Sequence, residues 1–129
     1  MKLVPIFAAA IAVAVAAQPA TAGTIRPFDQ SAFAHAQAAG QPSLIFVHAP
    51  WCPTCRAQSK AIDAVINQPR FAHLTIFTVD FDTQQPIWHK FGATRQSTLI
   101  GYHGQRPTAR VVGETDPARV AAVLASTVK

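Results

Sequence analysis

A continuous apolar run, Leu44-Ile45-Phe46-Val47, lies between Pro42 and Pro50 and leads straight into Trp51-Cys52-Pro53-Thr54-Cys55. A run of β-formers without polar alternation reads as a strand, Ser43–His48, buried on both faces. Such a strand belongs at the centre of a sheet covered on both sides by helices. Pro53 suits the first position of a helix, where its missing N–H is not needed. From there Ala57, Ala61, Ile62, Val65 and Ile66 keep a helical period until Asn67-Gln68-Pro69 ends it. Strand, tight loop and helix therefore follow one another around the two cysteines.

The rest of the chain fits around that unit. Thr24–Arg26 reads as a short first strand, and Asp29 as the N-cap of a helix from Gln30 to Ala39, closed by Gly40. Phe28 and Phe33 have the spacing of a hydrophobic staple across that cap. Leu74–Val79 is a second strong strand, and the helix between the two implies that they run parallel. Pro86–Phe91 reads as a short helix ending at Gly92. Thr98–Tyr102 and Thr108–Val112 read as a hairpin joined by His103-Gly104-Gln105-Arg106-Pro107. Asp116-Pro117 starts a last helix whose apolar face is Val120, Val123, Leu124 and Val128. The order βαβαβαββα is that of an α/β domain with a central mixed sheet flanked by helices.

Two properties bear on where such a domain works. Met1-Lys2, the uncharged stretch Leu3–Ala17 and the small residues of Ala20-Thr21-Ala22 have the layout of a cleavable signal peptide over residues 1–22. The apolar stretch falls short of the roughly 20 residues that cross a bilayer, so no stable membrane anchor is expected after cleavage. Residues 23–129 then form one domain, periplasmic or secreted. The net charge of +5 is spread along the chain without runs or aromatic interleaving, which disfavours nucleic acid as a partner.

The only two cysteines stand in a single Cys-x-x-Cys. A pair so close in sequence closes too small a loop to serve as a scaffold, so it is there for redox chemistry or for a metal. At a helix N-terminus the Cys52 sulfur meets free backbone N–H groups and the positive end of the dipole. Such sites lower a cysteine pKa from about 8.5 into a range of about 3.5–7.5. Cys52 is thus the expected nucleophile, and Cys55, one turn on, the expected resolving thiol. Zinc would need two further ligands, and none stands at ligand spacing. His48 is the one histidine near enough in sequence to tune the thiolate or complete a metal site. As a lone histidine at a strand end, it reads more readily as a partly exposed residue with no chemical role. His35, His73, His89 and His103 are given no role.

Trp51-Cys52-Pro53-Thr54-Cys55, set between a buried strand and a helix, resembles the active site of the thioredoxin family. Asp82, Phe91-Gly92, Ser97-Thr98-Leu99, Val112-Gly113 and the last helix fall where that family has corresponding features. The resemblance implies a thioredoxin-like fold and thiol–disulfide oxidoreductase activity, with no cofactor beyond the redox-active Cys52–Cys55 disulfide. It implies that Trp51 shields the sulfurs and contacts the partner, and that Pro53, Thr54, Arg56, Gln96 and Ser97 surround the site. Protein thiols and disulfides are the expected partners, with a membrane thiol-reductant as electron donor.

Three departures from the family stand out. Where most members carry a cis-proline, this chain has Ser97, and a cis bond before serine costs about 2.5–4 kcal/mol, so a trans peptide and a rearranged loop are expected. The aspartate and lysine that thioredoxins bury beside the resolving cysteine align with Phe46 and Thr78. Pro53-Thr54 replaces the Gly-Pro of cytosolic reductants. The expected activity is reduction of protein disulfides. A disulfide-forming oxidase or isomerase, and a metal-binding or metal-delivery module using the same thiols, are the alternatives.

Overall fold

The computed structural model describes residues 12–16 and 22–129, so most of the expected signal peptide lies outside the described residues. Five strands, β1 (Thr24–Pro27), β2 (Pro42–His48), β3 (Thr75–Asp80), β4 (Thr98–His103) and β5 (Arg106–Val112), form one sheet in the order β1-β3-β2-β4-β5. β2 is the middle strand. It runs parallel to β3 and antiparallel to β4, and β1 and β5 are the edges. Four α-helices, α1 (Gln30–Ala38), α2 (Pro53–Asp63), α3 (Gln85–Lys90) and α4 (Pro117–Thr127), cover the two faces. None is long and apolar enough to cross a membrane, among the described residues.

The pleat of β2 divides the core. Leu44 and Phe46 point to the face covered by α2 and α4, where they meet Ile62, Leu99, Val120 and Leu124. Ile45 and Val47 point to the other face, against Phe33, Phe77 and Trp88 from the α1 and α3 side. Burying side chains of this size contributes about 1.5–3 kcal/mol each, so a strand covered on both sides is pinned in register. The Asp29 carboxylate accepts from the Ala32 N–H at 2.7 Å, as an N-cap does, and the Phe28 and Phe33 rings meet at 5.8 Å as the staple spacing predicts.

Two boundaries differ from the sequence reading by more than one residue. α2 stops at Asp63, because the next turn tightens: Val65 N–H bonds to the Ile62 carbonyl, and the Ile66 carbonyl is taken by the Gly23 N–H at 2.9 Å. The hairpin is also tighter than its turn composition implied. His103 pairs with Arg106, leaving Gly104-Gln105 as a two-residue turn with Gly104 at φ +57°, and a bulge at Gly101/Tyr102 takes up the odd residue. Pro107 is accommodated inside β5 because an edge strand tolerates a missing donor.

Candidate functional site

The site lies where β2 ends and α2 begins. Cys52 is the N-cap of α2, with extended backbone (φ −86°, ψ 111°), and Pro53 follows at the first helical position. An N-cap presents its side chain to the free N–H groups of the first turn. Here the capping atom is sulfur: the Cys55 N–H donates to Cys52 Sγ at 3.1 Å. Cys55, one turn later, lies on the same inward face. Both cysteines are free thiols, 2% and 3% exposed.

A third group joins them. Ser97, the residue before β4, places its Oγ 3.2 Å from Cys52 Sγ and 3.2 Å from Cys55 Sγ. The peptide bonds of the described residues are all trans, and Ser97 itself adopts φ +60°, the left-handed region. Its carbonyl accepts from Gln58 Nε2 at 3.1 Å and from the Gly113 N–H at 2.9 Å.

These surroundings treat the two sulfurs differently. Burial opposes a charge on Cys52, but hydrogen bonds from the Cys55 thiol, the Ser97 hydroxyl and the N–H groups of Cys55 and Thr54 outweigh it and hold Cys52 below its ordinary pKa. Burial also acts on Cys55, reinforced by its hydrogen bond to Cys52 and by the charge there. The Ser97 hydroxyl and the Ala49 backbone offset this only partly, so Cys55 stands above its ordinary value. A thiolate at Cys52 beside a protonated Cys55 is the state this favours.

The residues singled out by sequence fall into two groups. Thr54, half-buried, and Ser97 touch the sulfurs' environment directly. Trp51 is 56% exposed on the rim, its Nε1 donating to Asp82 Oδ2 at 2.9 Å, and exposed Pro53 lies beside it. Exposed Arg56 is tied to the Pro50 carbonyl at 3.2 Å, and half-buried Gln96 leads into Ser97. His48 is turned elsewhere. It lines a cavity of about 210 Å³ with Phe46, Ser59, Asp63 and Thr78, and among the described residues no hydrogen bond joins it to either sulfur. No group of three His, Cys, Asp or Glu side chains gathers at one point among the described residues.

Sequence reasoning missed Gln58. It is fully buried, it clamps the loop that carries Ser97, and its Oε1 has no partner. The available signal was its position three residues after Cys55: a polar residue in the helix stripe that also holds Cys55, Ala61 and Ile62. Phe46 and Thr78, which align with the family's buried pair, face each other in register on β2 and β3. Phe46 belongs to the apolar cluster that contains both cysteines.

Comparison with known proteins places this geometry among relatives. The family model described as Thioredoxin matches residues 24–126. The bifunctional thioredoxin reductase/thioredoxin of Mycobacterium leprae is 29% identical over 90 residues, 70% of this chain but 19% of that protein, so the chain spans about a fifth of its length. The thioredoxin of Mycobacterium tuberculosis is 27% identical over 90 residues, 70% of this chain and 77% of that one. Among solved structures, Trxlp from Edwardsiella tarda superposes with a TM-score of 0.74 at 37% identity, covering 79% of this chain and 98% of that one. Thioredoxin O2 from Arabidopsis thaliana, in its oxidised state, gives 0.69 at 24% identity, covering 84% and 96%.

Proposed function

From the premise that the chain belongs to the thioredoxin family and is a thiol–disulfide oxidoreductase, we propose that it is exported and reduces protein disulfides, with Cys52 as nucleophile and Cys55 as resolving thiol. The observation that carries this reading is the Cys52 sulfur capping α2, with the Cys55 N–H donating to it at 3.1 Å. That contact stabilises a thiolate, and the thiolate is the attacking species. Cys52 attacks one sulfur of the partner's disulfide, and the other leaves as a thiolate. Cys55 then attacks Cys52 in the mixed disulfide, releasing the second partner thiol and leaving the Cys52–Cys55 disulfide.

Two electrons have then moved to the partner, and an external dithiol must return them. A membrane thiol-reductant on the far side of the export route has the right chemistry. The apolar, uncharged stretch Leu3–Ala17 supports export. The exposed indole of Trp51, pinned by Asp82, supports a protein partner, since a rigid aromatic on the rim offers contact area with little entropy left to lose.

Trapping tests the roles. Cys55→Ser should accumulate mixed disulfides with partner proteins and Cys52→Ser should not; equal trapping by both would end the assignment. Direction is tested by equilibration with glutathione. A reductant should poise nearer the roughly −270 mV of thioredoxin than the roughly −120 mV of a strong oxidant.

A further inference from the structure

We propose that Ser97 is a catalytic hydrogen-bond donor that serves the two sulfurs in turn: Cys52 while it waits as a thiolate, and Cys55 while it attacks the mixed disulfide. The inference rests on the roles given to the two cysteines above and adds a third reacting-site group to them. Its basis is the position of one oxygen, 3.2 Å from each sulfur. A serine hydroxyl carries one proton to donate, so it can support one anionic sulfur at a time. Rotation about its own C–O bond is enough to change which one. Ser97 is 2% exposed, so water competes little for the sulfurs, and hydrogen bonds are stronger in such surroundings.

The backbone is arranged to keep that oxygen in place. Ser97 is the non-glycine residue with a positive φ among those described. A conformation of this kind persists when the surroundings over-determine it, and such positions cluster at working sites. Here the determinants are visible. Gln58 from α2 and Gly113 after β5 both donate to the Ser97 carbonyl, and the next residue, Thr98, ties its hydroxyl to the Arg95 carbonyl at 2.8 Å. Gln58 and Cys55 stand on the same helix, so the clamp and the resolving sulfur are built on one rigid element. The two positions that align with the family's buried pair add no side-chain donor, since Phe46 is apolar and Thr78 bonds to the Arg26 carbonyl.

The chemistry balances without a further reactant. In the first step the hydroxyl donates to the Cys52 thiolate. Once Cys52 is bonded to the partner's sulfur it is neutral and no longer holds the donor. As Cys55 gives its proton to the partner thiolate released in the first exchange, the hydroxyl turns to the forming Cys55 thiolate. The Cys52–Cys55 bond forms, the bond from Cys52 to the partner breaks, and the electron pair leaves with the partner's sulfur. Ser97 keeps its own proton throughout.

The test uses Ser97→Gly and Ser97→Ala in the full chain. Both lack the hydroxyl, but glycine accepts a positive φ freely and alanine does not, so a hydroxyl role moves both alike and a backbone role separates them. Two readouts apply. One is the pH profile of Cys52 alkylation in the reduced protein; the other is single-turnover decay of the mixed disulfide formed with 5,5′-dithiobis(2-nitrobenzoate). Loss of a charge-assisted hydrogen bond should lower alkylation on the acid side of the profile about tenfold in both variants and slow the decay by a similar factor. A wild-type profile and decay in Ser97→Gly would overturn the proposal, as would a change confined to Ser97→Ala. If Ser97→Ala does not fold, Ser97→Gly decides alone. Trapping by Cys55→Ser in parallel separates the two levels of argument. Trapping with wild-type behaviour of the Ser97 variants sinks this proposal only, whereas no trapping sinks the cysteine roles and this proposal with them.

Discussion

Restoring the family's buried carboxylate through Phe46→Asp should damage this protein, and the damage should grow with pH. Phe46 is 4% exposed, packed in the cluster that holds both cysteines, with its ring 5.3 Å from that of His48. Removing a buried phenylalanine costs about 3–5 kcal/mol, against a total of about 5–15 kcal/mol for a domain of this kind. The new carboxyl would enter a buried position beside the sulfurs, with Thr78 opposite in register, Asp63 and His48 lining the same cavity, and no lysine in place of the family's. Burial raises a carboxyl's folded pKa above its unfolded value of about 3.9, so the folded variant holds the proton longer than the unfolded chain. Its stability is then greatest below about pH 4 and falls as pH rises through the folded pKa, at up to about 1.4 kcal/mol per pH unit. Urea unfolding of wild type, Phe46→Ala and Phe46→Asp at pH 4 and pH 7 isolates both parts. The two variants should lose similar amounts at pH 4, and Asp should fall further behind Ala at pH 7. A loss under about 1 kcal/mol for Phe46→Asp, against the cavity cost expected of such a site, or a gap between the variants that does not change with pH, would refute the reasoning.

Four further outcomes follow from the same contacts. Ser97→Pro should destabilise the protein by more than Ser97→Gly in urea titration, because the φ of +60° is closed to a ring fixed near −65°, whereas glycine relieves about 1–2 kcal/mol of left-handed strain. In the reduced protein, iodoacetamide should modify Cys52 and spare Cys55 at pH values below the ordinary thiol pKa, read by peptide mass; equal labelling would contradict the opposed shifts. Asp82→Ala frees the Trp51 indole and should broaden and red-shift the tryptophan emission while slowing reduction of protein disulfides more than of a small aromatic disulfide. Asp80, whose carboxylate is held below its ordinary pKa first by the Thr83 N–H and hydroxyl, contributes stability that is present above about pH 4 and lost as pH falls through its folded pKa. Asp80→Asn should therefore flatten the acid limb of the stability profile.

Much of this was legible in the sequence where one local rule decided the outcome. Leu44–Val47 had to be a covered strand because nothing polar interrupts it, and Asp29 and Asp116 had to cap helices because each precedes one with an acceptor side chain; both do. The placement of Cys52 at a helix start followed from Pro53. What the sequence hid depended on tertiary partners. α2 ends where the Val65 N–H bonds back to the Ile62 carbonyl, and the Ile66 carbonyl of that turn finds its partner in Gly23, distant in the chain. Pro107 reads as a turn residue in one dimension, and its place on the edge strand is what lets it join the ladder. Ser97 was visible as a missing proline, but its left-handed φ and its reach to both sulfurs come from the donors Gln58 and Gly113, and neither announces itself in one dimension.

The apolar swap at Phe46 and the hydroxyl at Ser97 bear on one quantity, the stability of the Cys52 thiolate. Without a buried carboxylate near the sulfurs there is one less negative charge to oppose that thiolate. Every donor aimed at it then weighs more, because the sulfur is buried and hydrogen bonds are stronger in such surroundings. The oxidised pair carries no charge, so each hydrogen bond that stabilises the thiolate is lost when the disulfide forms. The donors that activate Cys52 therefore also push the pair toward accepting electrons. Burial works in the opposite sense. It is the largest single influence on both sulfurs, it penalises the thiolate, and it leaves Cys55 protonated. The reduction potential of the pair thus depends on how tightly α2, β2 and the Ser97 loop close over the sulfurs, and loosening that packing through Gln58 should shift it even though Gln58 touches neither sulfur.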